Sequence, residues 1–372
     1  MKTKAAVGRE FNTPYTIEEI GLEPPKENEV LVKVAHTGWC HSDLSGYKNY
    51  YALDPSILPV VPGHESAGVV QEVGPGVTTL KPGDHVVSCW QAPCGRCEAC
   101  VSGNTHICEW LLVDLGTGKL KDGTARFRDA DGSEINHALY VSGFSEYIVT
   151  PEISSVKVPK QLPLDQACLL GCCVGTGWGA VNRAAKVQAG ESVAIWGMGG
   201  VGLNVVRGAA LAGANPIIAV DLEGSKEELA MEMGATHFIN SSKEDPVPAV
   251  LSMNGNKGVH FAFEVTGDVG ASVQASYTLR NGGRLMQVGI PAAGEMASFQ
   301  LFIMPFQAQK IEGVLYGSLR HQVDVPILAD MALKGDLKVD KLITKHFKLE
   351  DINEVRAAME RREIIGRWVC DM

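Results

Sequence analysis

SVAIWGMGGVGLNVVRGAALAGANPIIAVDLE, residues 192–223, reads as strand, glycine turn, helix and strand. The apolar run from Val193 to Trp196 enters a G-x-G-x-x-G pattern at Gly197, Gly199 and Gly202, and a helical stretch follows. Gly197 suits a tight turn, Gly199 lets the backbone approach a pyrophosphate, and Gly202 lets helix and strand pack closely. Gly200 and Val201 complete the loop. The first amides of such a helix are free and carry partial positive charge, which suits phosphate. The second strand, PIIAVD, ends on Asp221, about twenty residues on, an acid placed to accept two ribose hydroxyls and to repel a 2′-phosphate. The stretch therefore predicts a dinucleotide site that favours NAD over NADP. Lys226 stands either near the same ribose or as a solvated helix lysine.

Outward from this stretch the pattern repeats. THFIN, VHFAFEV and GRLMQVG are further apolar strand candidates, and segments such as KEELAMEMG between them read as helices. Alternating strands and helices predict an α/β, doubly wound parallel sheet, the Rossmann arrangement. Before about Pro163 the texture differs. EVLVKVAHTG alternates apolar and polar residues as a half-buried strand does, and HESAGVVQEVGPGV and GDHVVSCW are β runs punctuated by Pro75-Gly76 and Pro82-Gly83. Short strands with frequent turns predict a small barrel or sandwich. The last fifty or so residues predict a charged amphipathic helix with flanking strands that return to this first domain.

The 372 residues exceed what one hydrophobic core serves, so two domains are expected. A net charge of −10 argues against nucleic acid or an anionic membrane surface as partner. Ten cysteines, with no secretory signal and no run of about eighteen apolar residues, point to a reducing compartment, metal ligation and a cytoplasmic location.

Four of the cysteines are Cys94, Cys97, Cys100 and Cys108, in CGRCEACVSGNTHIC. The C-x2-C-x2-C-x7-C spacing lets one short loop present four thiolates to a tetrahedral Zn2+, a closed and therefore structural site. A [4Fe–4S] run is the rival, but the cysteine–proline pair usual in ferredoxin spacing is absent.

WCHSD, GHESAGVVQEVGPGV, the four-cysteine lobe, GCCVGTGWGA, GMGGVG and the terminal GRWV together resemble the zinc-dependent medium-chain alcohol dehydrogenases, over nearly the whole chain. The resemblance implies a GroES-like β domain over residues 1–175, a Rossmann NAD-binding domain over 176–317, and a return to the first domain over 318–372. Catalysis is then expected in the cleft between them, with two zinc ions per chain. It implies catalytic zinc on Cys40, His64 and Cys172, with a fourth position open to an alcohol oxygen that the metal polarises. Cys173 is an unusual neighbour, expected to point away.

By the same resemblance Glu65 is a carboxylate near the metal, Asp43 the acid that fixes the tautomer of His64, and Ser42 the hydroxyl that takes the substrate proton. The family's relay histidine is replaced by Ser45, which implies a route through the ribose hydroxyl and water and a shallower pH profile. His41 replaces a common arginine at the pyrophosphate, so coenzyme should bind more tightly below about pH 6.5. Arg367 matches a second pyrophosphate arginine, Thr176 a threonine against the nicotinamide, and Val288, Val314 and Tyr316 the backbone that holds the carboxamide.

Pocket positions carried over are Trp90, Leu139 and Val113. They suggest a primary, allylic or benzylic alcohol or its aldehyde as substrate. The glutathione-adduct branch, which needs an arginine near Leu112, is disfavoured. Tyr47, Tyr50 and Tyr51 in the long 45–60 stretch either line the pocket mouth or cover the barrel. Relatives form homodimers or homotetramers. Two other readings stay open: a nicotinoprotein that retains NAD(H) and works as an alcohol:acceptor oxidoreductase or aldehyde dismutase, and a non-catalytic zinc and NAD redox sensor.

Overall fold

The computed structural model describes residues 1–111 and 116–372. They fall into two compact units, Met1–Cys173 with Arg320–Met372, and Val174–Leu319.

The first unit is built on β-structure. Its larger sheet runs, in spatial order, Ser155–Val158, His85–Ser88, Glu65–Val73, Glu29–Gly38, Arg367–Asp371 and Ile343–Lys348, with Tyr147–Pro151 also paired to Glu29–Gly38. Glu29–Gly38 was expected as a half-buried strand, yet most of it is buried. It sits at the centre of the sheet and pairs with three neighbours, Glu65–Val73, Tyr147–Pro151 and Arg367–Asp371. Val30, Val32 and Val34 join Phe127, Ile135 and Ile148 in the core beneath. A five-stranded sheet runs Lys2–Val7, Thr16–Leu22, Phe127–Arg128, Glu134–His137 and Val60–Val61. The C-terminal segment supplies Ile343–Lys348, the helix Ile352–Glu360 and Arg367–Asp371.

His137 makes this core sensitive to acid. It is buried, accepts the Arg126 amide at 3.0 Å and lies 3.2 Å from the Ser142 hydroxyl. Burial first, then the Arg126 charge, pushes it down to about 3. The unfolded imidazole titrates near 6.5, so between pH 6.5 and 3 the unfolded chain binds a proton that the fold refuses. Stability is then lost as pH falls through that window, by about 1.4 kcal/mol per unit. His137→Asn is expected to show a lower Tm at pH 8 but a shallower acid decline than the parent. Parallel declines in the two proteins would remove His137 as the cause.

The second unit is a six-stranded sheet ordered His237–Asn240, Ile217–Asp221, Val193–Trp196, Val259–Glu264, Leu279–Gln287, Lys310–Gly313. Every neighbouring pair in it is parallel. The continuous apolar runs seen in the sequence follow from this, because such strands are covered on both faces. Val193–Trp196 and Ile217–Asp221 are buried throughout. The order places Val193–Trp196 at the point where strand order reverses, and its C-terminal end carries the glycine turn. Among the described residues no helix is long and apolar enough to cross a membrane.

Candidate active site and metal centres

The cluster expected to be catalytic forms where three segments of the first unit meet. Cys40 caps the short helix His41–Tyr47, His64 precedes the strand Glu65–Val73, and Cys172 follows the helix Leu164–Leu170. Gly171 makes the last approach possible: a Cβ there would lie 2.8 Å from the Ser88 carbonyl oxygen. One donor atom each from Cys40, His64, Glu65 and Cys172 lies within 4.8 Å of the others, and all four residues are buried.

The donor chemistry fits a dication. His64 Nδ1 donates to Asp43 Oδ1 at 3.0 Å, which leaves Nε2 free to face a metal. Asp43 Oδ2 accepts the Cys40 amide at 3.0 Å, so one carboxylate orients two ligands. Burial alone would push His64 down, but Asp43 and Cys40 outweigh it and hold it well above its usual value, the mark of a pocket that favours positive charge. Cys40 is held well below the thiol range, first by the hydrogen bond from Cys172 and against the penalty of burial. A dication would replace that shared proton. Asp43→Asn is expected to weaken zinc binding by about 10- to 100-fold, read by chelator competition on the purified protein. Unchanged retention would show that Asp43 orients nothing.

Glu65 is completely buried, and burial pushes its carboxyl up to about 7 against the pull of Arg367. Arg367 Nη2 donates to Glu65 Oε1 at 3.0 Å and to Cys40 Sγ at 3.3 Å. Its sequence reading pointed to the pyrophosphate; the contacts it makes within its own unit are with the metal cluster. Glu65 Oε2 has no hydrogen-bond partner. Cys173, next to Cys172, is buried and its thiol points to the Leu169 carbonyl at 3.7 Å.

The helix His41–Tyr47 carries the polar residues beside the cluster. Ser45 Oγ lies 3.4 Å from His41 Nδ1, so a histidine one turn upstream reaches the position where the relay histidine is missing. The three tyrosines separate. Tyr47 is core, 5.6 Å from Tyr15 by ring centroids, and Tyr50 is exposed. Tyr51 is half-buried, and burial raises its phenol while Ser42 and Ser45 beside it pull the other way. Trp90 packs, half-buried, on the barrel core. Leu139 holds a left-handed φ of 53° and is followed by Tyr140 at 62°, a strained turn. Val113 and Leu112 lie outside the described residues.

In the four-cysteine lobe, one donor atom from each of Cys94, Cys97, Cys100 and Cys108 lies within 4.8 Å of the others. The Cys97 amide donates to Cys94 Sγ at 3.3 Å and the Cys94 amide to Cys108 Sγ at 3.4 Å. Amides of Arg96 and Cys97 lower the Cys94 thiol to about 6. Such amide-to-sulfur bonds stabilise thiolate, the form zinc takes. All ten cysteines are free, so disulfides are excluded here.

In the second unit Gly197 has φ of 98°, a conformation glycine tolerates. A Cβ at Gly202 would lie 1.7 Å from the Gly197 carbonyl oxygen, whereas a Cβ at Gly199 would meet nothing within 4 Å. The open space over Gly199, beside the buried Gly200 and half-buried Val201 at the start of the helix Gly200–Leu211, fits a pyrophosphate. Asp221 Oδ2 accepts the Met198 amide at 2.6 Å, tying the acid to the glycine loop. Lys226 Nζ sits on the same carboxylate at 3.0 and 3.1 Å rather than in solvent. Thr176 is buried beside the turn at Tyr316, since a Cβ on Gly317 would lie 2.5 Å from the Thr176 carbonyl. The amides of Val288 and Val314 are used within the sheet, on Glu264 and Gln287, which leaves the position of their carbonyls as the feature of interest. Sequence reading missed Glu264. It is buried, its carboxyl raised by burial, and it holds Thr266, Gly267 and Gln287 around the end of the strand next to the glycine turn. Its only sequence signal was an acid ending an apolar strand.

Residues 26–160 match the family described as alcohol dehydrogenase GroES-like domain, and residues 200–333 match zinc-binding dehydrogenase. The chain belongs to the zinc-dependent medium-chain alcohol dehydrogenases. This dehydrogenase is 40% identical over 368 residues to the S-(hydroxymethyl)glutathione dehydrogenase of Paracoccus denitrificans, covering 95% of this chain and 96% of that one. It is 42% identical to the protein of that name from Photobacterium damsela subsp. piscicida, over 95% of each. Among solved structures it is similar to an alcohol dehydrogenase zinc-binding domain protein from Burkholderia ambifaria, with TM-score 0.94, 36% identity, and 100% and 99% of the two chains covered. Benzyl alcohol dehydrogenase from Acinetobacter calcoaceticus gives TM-score 0.91 and 33% identity, with the same coverage. The cysteine lobe and the Cys40, His64 and Cys172 cluster thus fit the structural and catalytic zinc ions of a zinc-binding dehydrogenase.

Proposed function

We propose that the dehydrogenase oxidises a small primary alcohol, benzylic and allylic ones included, to the aldehyde with NAD exchanged at each turnover. The observation that carries this reading is the buried Cys40, His64, Glu65, Cys172 cluster with Asp43 behind its histidine. Zinc, when bound there, lowers the pKa of an alcohol oxygen, and NAD+ accepts the hydride that leaves the carbinol carbon. The protein's own part is to hold the donors and move the hydroxyl proton. Asp43 fixes His64 and the Cys40 backbone together. Arg367 holds Glu65 ready beside the ligands. Ser42 accepts the proton, and the Tyr51 phenol and the His41–Ser45 pair are the groups nearest to pass it outward. Val288, Val314, Tyr316 and Thr176 are the positions for the nicotinamide, and His41 that for the pyrophosphate.

NAD over NADP rests on Asp221, a fixed acid at the end of the second strand. Trp90 and Leu139 are the pocket residues, and an apolar aromatic wall suits a flat alcohol. The names of the curated relatives favour a second reading, oxidation of S-(hydroxymethyl)glutathione. Pairing of two chains through the coenzyme unit is supported by its exposed Met296, Leu301, Phe302 and Phe306, close in sequence to the edge strand Lys310–Gly313.

Native mass spectrometry of protein purified without added coenzyme tests the reading, followed by rates with benzyl alcohol, allyl alcohol and S-(hydroxymethyl)glutathione. Two zinc ions, no retained nucleotide and a kcat/KM at least tenfold higher for benzyl alcohol than for the glutathione adduct are expected. Stoichiometric retained NAD(H) would replace it with the nicotinoprotein reading. A preference for the adduct would replace the substrate.

A further inference from the structure

Three neighbouring strands of the first unit bring together residues that neither zinc site uses. His36 lies on Glu29–Gly38, His346 on Ile343–Lys348, and Asp371 on Arg367–Asp371, which runs between them. His36 and Asp371 are direct cross-strand partners. His346 faces Val369, one side-chain repeat away from Asp371 on the same side. The register of rigid strands, not a loop, sets their spacing.

The donor atoms converge. Asp371 Oδ1 lies 3.1 Å from His36 Nδ1 and 2.7 Å from His346 Nδ1, and one donor from each residue falls within 4.8 Å of the others. Donors on a tetrahedral ion with bonds of about 2.0–2.1 Å sit roughly 3.3 Å apart, so small side-chain movements admit a metal. A pair of histidines hydrogen-bonded to one aspartate is the plainer reading. Two further features accompany the convergence of donors. The rings cross at 82° edge to face rather than stacking. On its far side, His346 Nε2 lies 3.9 Å from Asp165 Oδ2, beyond hydrogen-bond reach but near enough to add negative charge beside the ring. Asp371 also stays ionised. Burial would raise it, but the hydrogen bond from His346 and the charges of His346, His36 and Lys348 lower it.

We propose that His36, His346 and Asp371 form a third metal site for a first-row divalent cation, Zn2+ or Ni2+. Two imidazoles and one carboxylate are the donor set these ions take, and water completes the shell. The site is partly open, with His346 the most exposed ligand. Lys348 Nζ, 3.8 Å from Asp371 Oδ2 and mostly in solvent, is the charge that the metal must displace. Binding would fasten both C-terminal strands to the central strand of the sheet.

The test starts from protein holding its two zinc equivalents and titrates it with Zn2+ and, separately, Ni2+ by calorimetry, with bound metal counted after equilibrium dialysis. One further equivalent is expected, together with a Tm that rises with metal concentration. His36→Gln and His346→Gln are each expected to weaken it at least about tenfold. Lys348→Ala leaves all three ligands in place and is expected to bind more tightly. Saturation at two equivalents overturns the proposal. So does a third equivalent that both histidine variants retain unchanged, or a Lys348→Ala protein that binds no more tightly than its parent.

Discussion

Cys172→Ser is expected to leave one zinc per chain and to reduce alcohol oxidation by at least about 10³-fold. Cys172 is buried and lies with Cys40 and His64 in one cluster of donors. Serine is shorter and does not ionise in this range, so the site loses a ligand and a negative charge together. The companion Cys173→Ser is expected to keep both zinc ions, because the Cys173 thiol is turned to the Leu169 carbonyl. Native mass spectrometry counts the metal and initial rates give the activity. If Cys173→Ser lost the zinc while Cys172→Ser kept it, the two cysteines would have to exchange roles.

The glycine loop offers the second large effect, because two of its glycines matter for opposite reasons. A Cβ on Gly202 would lie 1.7 Å from the Gly197 carbonyl oxygen, and backbone cannot swing aside as a side chain does. Gly202→Ala is therefore expected to cost at least about 3 kcal/mol of stability and to lower Tm. Gly199 has φ of −83° and empty space around its would-be Cβ. Gly199→Ala is expected to melt with the parent yet to bind NADH about tenfold more weakly, since the methyl occupies space left for the pyrophosphate. Thermal melts with fluorescence titration separate the two. Equal affinity of Gly199→Ala and the parent would mean that no ligand backbone approaches there.

These contrasts show which parts of the molecule were readable in the chain. The cysteine lobe and the glycine turn are local: their geometry is set by neighbours a few residues apart, so spacing carries it. The parallel sheet was readable because burial on both faces leaves continuous apolar runs such as VAIW and IIAV. Cys40, His64 and Cys172 needed the family resemblance, since no spacing joins them. What stayed hidden depends on strand register between distant segments. Arg367 reaches Glu65, and His36 reaches Asp371, only because Arg367–Asp371 pairs with Glu29–Gly38. Tyr51 was indistinguishable from Tyr47 and Tyr50 because a loop has no period to say which face is inward. Counting positions also missed that His41 faces Ser45 across one helical turn.

That strand pairing has a consequence for the order of events on the ribosome. Residues 174–319 are synthesised in one piece, with all strands of their sheet close in the chain, so that unit can close while translation continues. The first unit has to wait. Its central strand is made well before the partner at Arg367–Asp371, which comes 335 residues later at the His36–Asp371 contact. Until that last strand emerges, Glu65 and Cys40 lack the guanidinium that holds them. Assembly of the zinc pocket thus waits for that strand, and the earlier β-segments carry an open edge, a site for aggregation, in the meantime.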